Sequence, residues 1–351
     1  MNDLLVIFGA GASFDCVDQS KSSVNKLYWP PLTRHIFSRT IEVPFGLASY
    51  QTNQFKDELL NRHVVAATIG YELRKRDELE KYLSELRKST IEFDKRKFIA
   101  LPFYLKELFS EISRNFLKSR LNNNYTALLQ KLVRTNFSKL NFITTNYDTI
   151  LDTTLESFCQ HEFRYLNDYL NFEGNGKNFN YLKIHGSINW SYILNNCSQI
   201  AHIEEVIEGK IESIDYVLSC IDNAKIVDLD SNHAGVPVFP ALAVPLGKYN
   251  YVNPQQVKDF KEQNLDIKNL LVIGNSGKDN TIFTLLNEII KDKVNLSIVD
   301  KDEKTVDAVA NAFREHLDGK ISSFQKEYNC YPGGFSVFIE KSVDEWIKFS
   351  N

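Results

Sequence analysis

The sequence predicts an α/β fold, and three observations carry that expectation. Leu4–Phe8, Leu140–Thr144, Tyr181–Ile184, Asn269–Gly274 and Asn295–Val299 are short apolar runs of strand length. Stretches with helical spacing of apolar residues follow several of them, at Thr149–Phe158, Asn280–Lys291 and Glu303–Leu317. Leu4–Phe8 is continuous rather than alternating, as a strand covered on both faces requires. Strands alternating with helices build right-handed β-α-β units. The expected architecture is therefore an open, Rossmann-like parallel sheet with helices on both faces and a mostly helical insertion.

The elements follow in chain order. Leu4–Phe8 ends at the glycine turn Gly9-Ala10-Gly11. Phe14–Tyr28 mixes Ser, Asp, Asn and Lys without a period and reads as a lid-like loop. Trp29-Pro30-Pro31 then breaks the chain, and Thr33 is placed to cap a short helix from Arg34. From Gln54 to Arg134 the character changes: Tyr71–Lys97 is dense in Glu, Lys and Arg, with Leu73, Leu79, Tyr82, Leu83 and Leu86 at helical spacing. Helical stretches continue at Leu105–Leu117 and Tyr125–Val133. The division expected is residues 1–50 with 135–351 for the sheet domain, and 51–134 for the helical insertion. The charge-dense run reads as a solvated helix face with balanced signs, in preference to a basic docking patch. Ser187–Val244 mixes short pieces and yields no boundaries; Ser336–Ile339 reads as a last strand before a final helix at Val343–Phe349.

Composition bounds the partners. With 351 residues and 43% hydrophobic content the chain buries a sizeable core, and 41 basic against 45 acidic side chains give no electrostatic reason for nucleic acid or an anionic membrane as partner. No apolar stretch approaches the length of a bilayer span, and the short run after Asp3 lacks the basic start of a signal peptide. The five cysteines are widely spaced with no Cys-x-x-Cys pair, which reads as reduced thiols and a cytoplasmic location.

Chemistry gathers at the strand ends. In an open parallel sheet, ligands bind beyond the carboxyl ends of the strands. Gly9-x-Gly11 lets backbone approach a pyrophosphate, or is a tight structural turn; the third glycine of a full dinucleotide fingerprint is replaced by Phe14. Ser13 adds a hydroxyl that serves either a phosphate or its own turn. Thr144-Thr145-Asn146-Tyr147-Asp148 and His185-Gly186-Ser187 each follow an apolar strand. An Asn and an Asp there are also ordinary cap and turn residues, and a single histidine is often a structural hydrogen-bond partner. The coincidence of several such motifs after separate strands favours one shared site. Gly274-Asn275-Ser276 ends another strand, and Asp300 stands where a ribose diol would bind, or else caps the following helix.

In this order, Gly9-Ala10-Gly11-Ala12-Ser13, Thr144–Asp148, His185-Gly186-Ser187 and Gly274-Asn275-Ser276 resemble the sirtuin family, specifically the sirtuin-like domains of bacterial anti-phage defence proteins. The resemblance spans the strand ends from residue 1 to about 305 and omits the helical insertion and residues 190–235. It implies that Gly9, Ala10, Gly11 and Ser13 hold the diphosphate and neighbouring ribose of NAD+. It places Thr145, Asn146 and Asp148 around the nicotinamide ribose and makes His185 catalytic with Asn146. Gly274, Asn275 and Ser276 would contact the adenosine half, with Asp300 near its ribose. Sirtuin deacylases carry a four-cysteine zinc module and a Gly-Ile-Pro-x-Phe-Arg stretch after the first glycine turn. Here no cysteines are paired and the loop reads Phe14-Asp15-Cys16-Val17-Asp18, so no zinc is expected.

The resemblance therefore points to an NAD+ glycohydrolase that cleaves the nicotinamide–ribose bond, acting as a gated defence effector. A homo-oligomer, and a regulatory partner such as a HerA-type ATPase or another defence subunit, follow as expectations. The rival readings are an NAD-dependent protein deacylase and a catalytically silent NAD or ADP-ribose binding module. A dehydrogenase is disfavoured by the missing third glycine.

Overall fold

A computed structural model describes residues 2–16, 30, 32, 36, 58–60, 62–63, 65, 68–69, 72, 79–119, 123–194, 214–222, 224–227, 238–242, 251–263, 265–322, 324–325 and 329–350. The strands are β1 (Asp3–Phe8), β2 (Lys139–Thr144), β3 (Phe172–Gly174), β4 (Lys177–Lys183), β5 (Gly186–Ile193), β6 (Lys225–Val227), β7 (Val238–Leu242), β8 (Ile267–Ile273), β9 (Asn295–Asp300) and β10 (Cys330–Pro332). The helices are α1 (Ala10–Phe14), α2 (Leu79–Lys88), α3 (Glu92–Ser119), α4 (Asn124–Leu132), α5 (Ile150–Cys159), α6 (Ile214–Asp222), α7 (Pro254–Lys261), α8 (Asn280–Ile289), α9 (Glu303–His316), α10 (Gly334–Val337) and α11 (Val343–Ser350).

The main sheet has seven strands in the order β10-β9-β8-β1-β2-β4-β3. Every pairing is parallel except the β3–β4 edge. This is the expected Rossmann-like α/β architecture. The alternation of side chains along a strand explains why Leu4–Phe8 is apolar at every position. Leu4, Val6 and Phe8 of β1 enter one core with residues of α3, α4, α5 and α11, while Leu5 and Ile7 enter a second core with α7, α8 and α9. Helices thus cover both faces. The chain leaves β1 for β2 and β4 on one side, then crosses to β8 and β9 on the other. The strand order therefore reverses between β1 and β8.

A three-stranded antiparallel sheet, β6-β5-β7, begins directly after His185. It packs on α3, where the Phe103 and Phe239 rings meet edge to face at 5.4 Å. It lies in the stretch for which the sequence offered no boundaries. Position 186 demands glycine on two counts: its φ is +77°, and a Cβ would fall 2.0 Å from the Ala241 carbonyl oxygen.

Several expectations are corrected. Ser336–Ile339 is not a strand: it lies in α10 and a π-helical turn, Phe338–Ser342. A run of four apolar or small residues does not distinguish strand from helix, and Phe335 and Phe338, three apart, share one buried face. The last strand is Cys330–Pro332 instead. The region of Leu105–Leu117 belongs to a 28-residue helix that runs through Pro102. Lys97, at the end of the run read as solvated, is buried and paired with Glu72 and Asp94 at 2.8 and 3.2 Å. Cys16 and Cys159 are free thiols, but Cys220 is disulfide-bonded, so the reading of five reduced thiols does not hold. Spacing alone carries no signal for which thiols folding brings together. The Thr33–Arg34 helix start and residues 17–28 of the proposed lid lie outside the described residues. Among the described residues no helix is long and apolar enough to cross a membrane.

Candidate functional site

The sheet register assembles the site. Val299, Ile273, Phe8, Thr144 and Lys183 are direct partners in one row across β9, β8, β1, β2 and β4. One residue further along stand Asp300, Gly274, Gly9, Thr145 and Ile184, and the ladder continues through them. Gly274, Gly9, Thr145 and Ile184 donate their N–H groups to the carbonyls of Val299, Ile273, Phe8 and Thr144, at 2.9 to 3.2 Å. The next residues along these segments are Asn275, Ala10, Asn146 and His185. With strands about 4.8 Å apart, the row from Asp300 to His185 spans about 19 Å, the reach of an extended dinucleotide. The point where strand order reverses falls in its middle, between Gly9 and Gly274, which is where ligands of such sheets bind.

The two glycine turns are locked together. Gly11 N–H donates to the Gly274 carbonyl at 2.9 Å. Gly274 has a φ of +60°, and a Cβ there would lie 2.2 Å from the Ala12 nitrogen. Contrary to the expectation of a turn leading into a polar loop, Gly9 is followed at once by α1, a five-residue helix.

Beneath this turn the polar side chains form a buried network. Asn146 Nδ2 donates to the Gly9 carbonyl at 3.0 Å and to Ser13 Oγ at 2.9 Å, while Ser13 Oγ also bonds the Tyr125 hydroxyl at 2.9 Å. Ser13 is 1% exposed and engaged under the turn rather than at the crevice surface. Asn146 Oδ1, by contrast, is buried with no hydrogen-bond partner among the described residues. Asp148 is also buried and accepts from the Ile150 N–H at 3.1 Å, holding the start of α5. Burial pushes its carboxyl above the usual range, against the opposing pull of Lys183, the Ile150 N–H and Ser13. Lys183 is buried as well, donating to the Asp148 carbonyl at 2.8 Å and to Asp152 Oδ2 at 2.7 Å. Tyr169 and Tyr181 complete the Asp152 shell.

His185 occupies the far end of the row and is partly exposed. Its Nε2 meets Asp279 Oδ2 at 2.5 Å, and its Nδ1 is buried without a partner among the described residues. Asp279 caps α8, Oδ1 accepting from Thr281 N–H at 2.9 Å. Burial alone would raise its pKa, but His185 and the N–H groups of Thr281 and Ile282 outweigh that and hold it below the ordinary carboxylate value. Sequence reasoning did not single out Asp279, although an Asp directly before the periodic stretch from Asn280 is a helix-start signal. Tyr125 and Lys183 were also missed, since their partners lie 112 and 31 residues away.

At the other end, Asp300 accepts from the Lys301 N–H, and burial pushes its carboxyl up. It is not the cap of α9: Asp302 is, accepting from Thr305 N–H at 2.8 Å. Asn275 is buried and accepts from Gly277 N–H, whereas Ser276 is exposed. Thr145 and Ala10 are half-buried on the rim. A separate cavity of about 600 Å³ is lined by Glu72, Tyr82, Glu85, Leu86, Asp94 and Lys97, none of them a residue of this row.

Comparison with curated proteins returns no match. Among solved structures, one described under the mechanism and regulation of Sir2 enzymes is 15% identical, with a TM-score of 0.40, covering 99% of this chain and 93% of that one. A Sir2 bound to an acetylated peptide is 10% identical, TM-score 0.39, with 98% and 92% covered. A mutant Sir2 homologue in complex with ADP-ribose is 13% identical, TM-score 0.37, with 99% and 91% covered. The family model for the SIR2-like domain matches residues 140–318, just over half of the chain and all the strand-end motifs except the first glycine turn. The chain belongs to the SIR2-like domain family.

Proposed function

We propose that this protein is an NAD+ glycohydrolase, cleaving NAD+ to nicotinamide and ADP-ribose. The observation that carries the reading is the row itself, which sets glycine turns at its centre, a carboxylate at one end and an Asn–His pair at the other. In this reading the diphosphate lies over Gly9–Gly11 and Gly274, Asp300 faces the adenosine ribose, and the nicotinamide ribose lies between Asn146 and His185.

The chemistry asks little of a general acid. Nicotinamide is attached as a cationic pyridinium; when the C–N bond breaks, its electron pair moves to the ring nitrogen and nicotinamide leaves neutral. Positive charge then develops on the ribose, and water must be delivered to C1′. Asn146 Oδ1 is free to hold that water or a ribose hydroxyl, its amide hydrogens being committed to Gly9 and Ser13. The new C–O bond forms from the water oxygen, and its proton passes to a ring nitrogen of His185. The proton then leaves to solvent, closing the balance.

Uncontrolled NAD+ hydrolysis would harm the host cell. Gating by assembly of copies, or by a partner such as a HerA-type ATPase, therefore belongs to the proposal, as does a role in anti-phage defence by NAD+ depletion. The test is nicotinamide release, followed by chromatography, from the full chain across a concentration series with and without the product of the neighbouring gene. His185→Ala and Asn146→Ala are expected to abolish release; wild-type release by His185→Ala would sink the proposal.

A further inference from the structure

We propose that Asp279 is a positioning residue that holds His185 as the Nε2–H tautomer, making Nδ1 the nitrogen that receives the proton in the reaction. The inference rests on the hydrolase reading for its role, and on the geometry of two residues for its substance. His185 Nε2 and Asp279 Oδ2 stand 2.5 Å apart, in direct hydrogen-bonding contact. A carboxylate accepts only, so the hydrogen in that contact belongs to Nε2. In the neutral ring the remaining lone pair is then on Nδ1, the buried atom left without a partner.

The carboxylate is itself immobilised. Its second oxygen is bound by the Thr281 N–H at the start of the ten-residue α8, whose N-terminus favours a negative charge. Burial opposes ionisation, but the same His185 contact and the N–H groups of Thr281 and Ile282 hold Asp279 below the ordinary carboxylate range, so it is ionised at neutral pH. One side chain thus serves two ends: helix cap through Oδ1, imidazole anchor through Oδ2. It also belongs to the same loop as Gly274–Ser276, so the turn assigned to the adenosine half and the orientation of His185 share one piece of backbone.

Two substitutions separate the cap from the anchor. Asn and Ser both cap helices as well as Asp does, so Asp279→Asn and Asp279→Ser are expected to melt within a few degrees of the wild type. Asn can present its NH₂ to Nε2 and reverse the tautomer, and Ser is too short to reach the ring. The readout is the ring ¹⁵N spectrum of histidine-labelled protein, with His185 assigned by its loss in His185→Ala. The wild type is expected to carry its proton on Nε2. Asp279→Asn is expected to move the proton to Nδ1, and Asp279→Ser to lose the fixed tautomer. NAD+ hydrolysis is expected to fall about a hundredfold or more in both, the usual worth of a positioned acid–base group. A wild-type ring protonated on Nδ1, or on both nitrogens at neutral pH, would overturn the inference, as would wild-type turnover by Asp279→Ser. Wild-type turnover by His185→Ala would instead overturn the hydrolase reading, and is told apart because the ring spectrum is recorded without turnover.

Discussion

The Asn146 side chain donates to the Gly9 carbonyl at 3.0 Å across 137 residues of sequence, so the amide at the end of β2 braces the glycine turn at the end of β1. Loss of activity on changing Asn146 therefore has two sources. Asn146→Ala is expected to lower stability by about 1–3 kcal/mol, the cost of leaving buried hydrogen-bond partners unsatisfied. Urea unfolding of this variant beside His185→Ala, which is expected to unfold near the wild-type midpoint, separates the brace from the chemistry.

Gly274→Ala tests the contact between the two turns. The new Cβ would meet Ala12 N at 2.2 Å and the Gly11 carbonyl carbon at 2.4 Å, in a left-handed backbone conformation. Strain of that conformation costs about 1–3 kcal/mol before any clash. Gly319→Ala is the control, since Gly319 shares the positive φ but has nothing within 4 Å of its would-be Cβ. Gly274→Ala is expected to unfold at clearly lower urea than Gly319→Ala, and equal midpoints would contradict the packing described.

Much of the architecture was legible because burial on both faces leaves a mark in the sequence. Leu4–Phe8 and Leu270–Ile273 are apolar at every position, and the residues after them are small or polar. What stayed hidden depends on contacts between distant segments. Tyr125 reads as one more apolar position of a helix, yet its hydroxyl reaches Ser13. Lys183 lies in the short run Tyr181–Ile184 with no sign of a partner, yet it is buried against Asp152. The β5–β7 sheet escaped notice because its strands pair with one another rather than with the main sheet, and their local pattern is mixed. Asp279 was hidden for another reason: as a cap it looks ordinary, and only the fold shows its second oxygen meeting His185.

Lys183→Met is expected to be severely destabilising, by about 3–5 kcal/mol, because it strands the buried Asp152 carboxylate without its cation. In the double variant with Asp152→Asn most of that cost is expected to disappear. Chemical unfolding of the two single variants and the double variant measures the coupling, and simple additivity would contradict it.

Asp148 gives the account a pH signature. Burial raises its pKa in the folded chain, so ionising it costs stability. The wild type therefore loses this contribution as pH rises from below the unfolded carboxylate value through the raised folded one. Asp148→Asn keeps an acceptor for the Ile150 N–H but has nothing to ionise. Its urea midpoint relative to wild type is expected to improve between about pH 3 and about pH 7. A difference that is flat or worsens over that interval would contradict the assignment.

Asp300 and Asp302 divide two roles that the sequence left joined. Asp302→Ala removes the cap of α9 and is expected to cost about 1 kcal/mol without altering nucleotide binding. Asp300→Ala is expected to melt as the wild type but to weaken NAD+ binding about tenfold or more, as loss of a charged hydrogen bond to ribose would. Calorimetry in a His185→Ala background, with melting curves alongside, distinguishes the pair.

The most direct measurement is a crystal structure of His185→Ala with NAD+ bound. The account predicts the diphosphate over the joined turns of Gly9–Gly11 and Gly274, the adenosine ribose at Asp300, and the nicotinamide ribose against Asn146 beside position 185. NAD+ seated elsewhere on the molecule, or lying in the row with its adenosine end at Asn146, would contradict it.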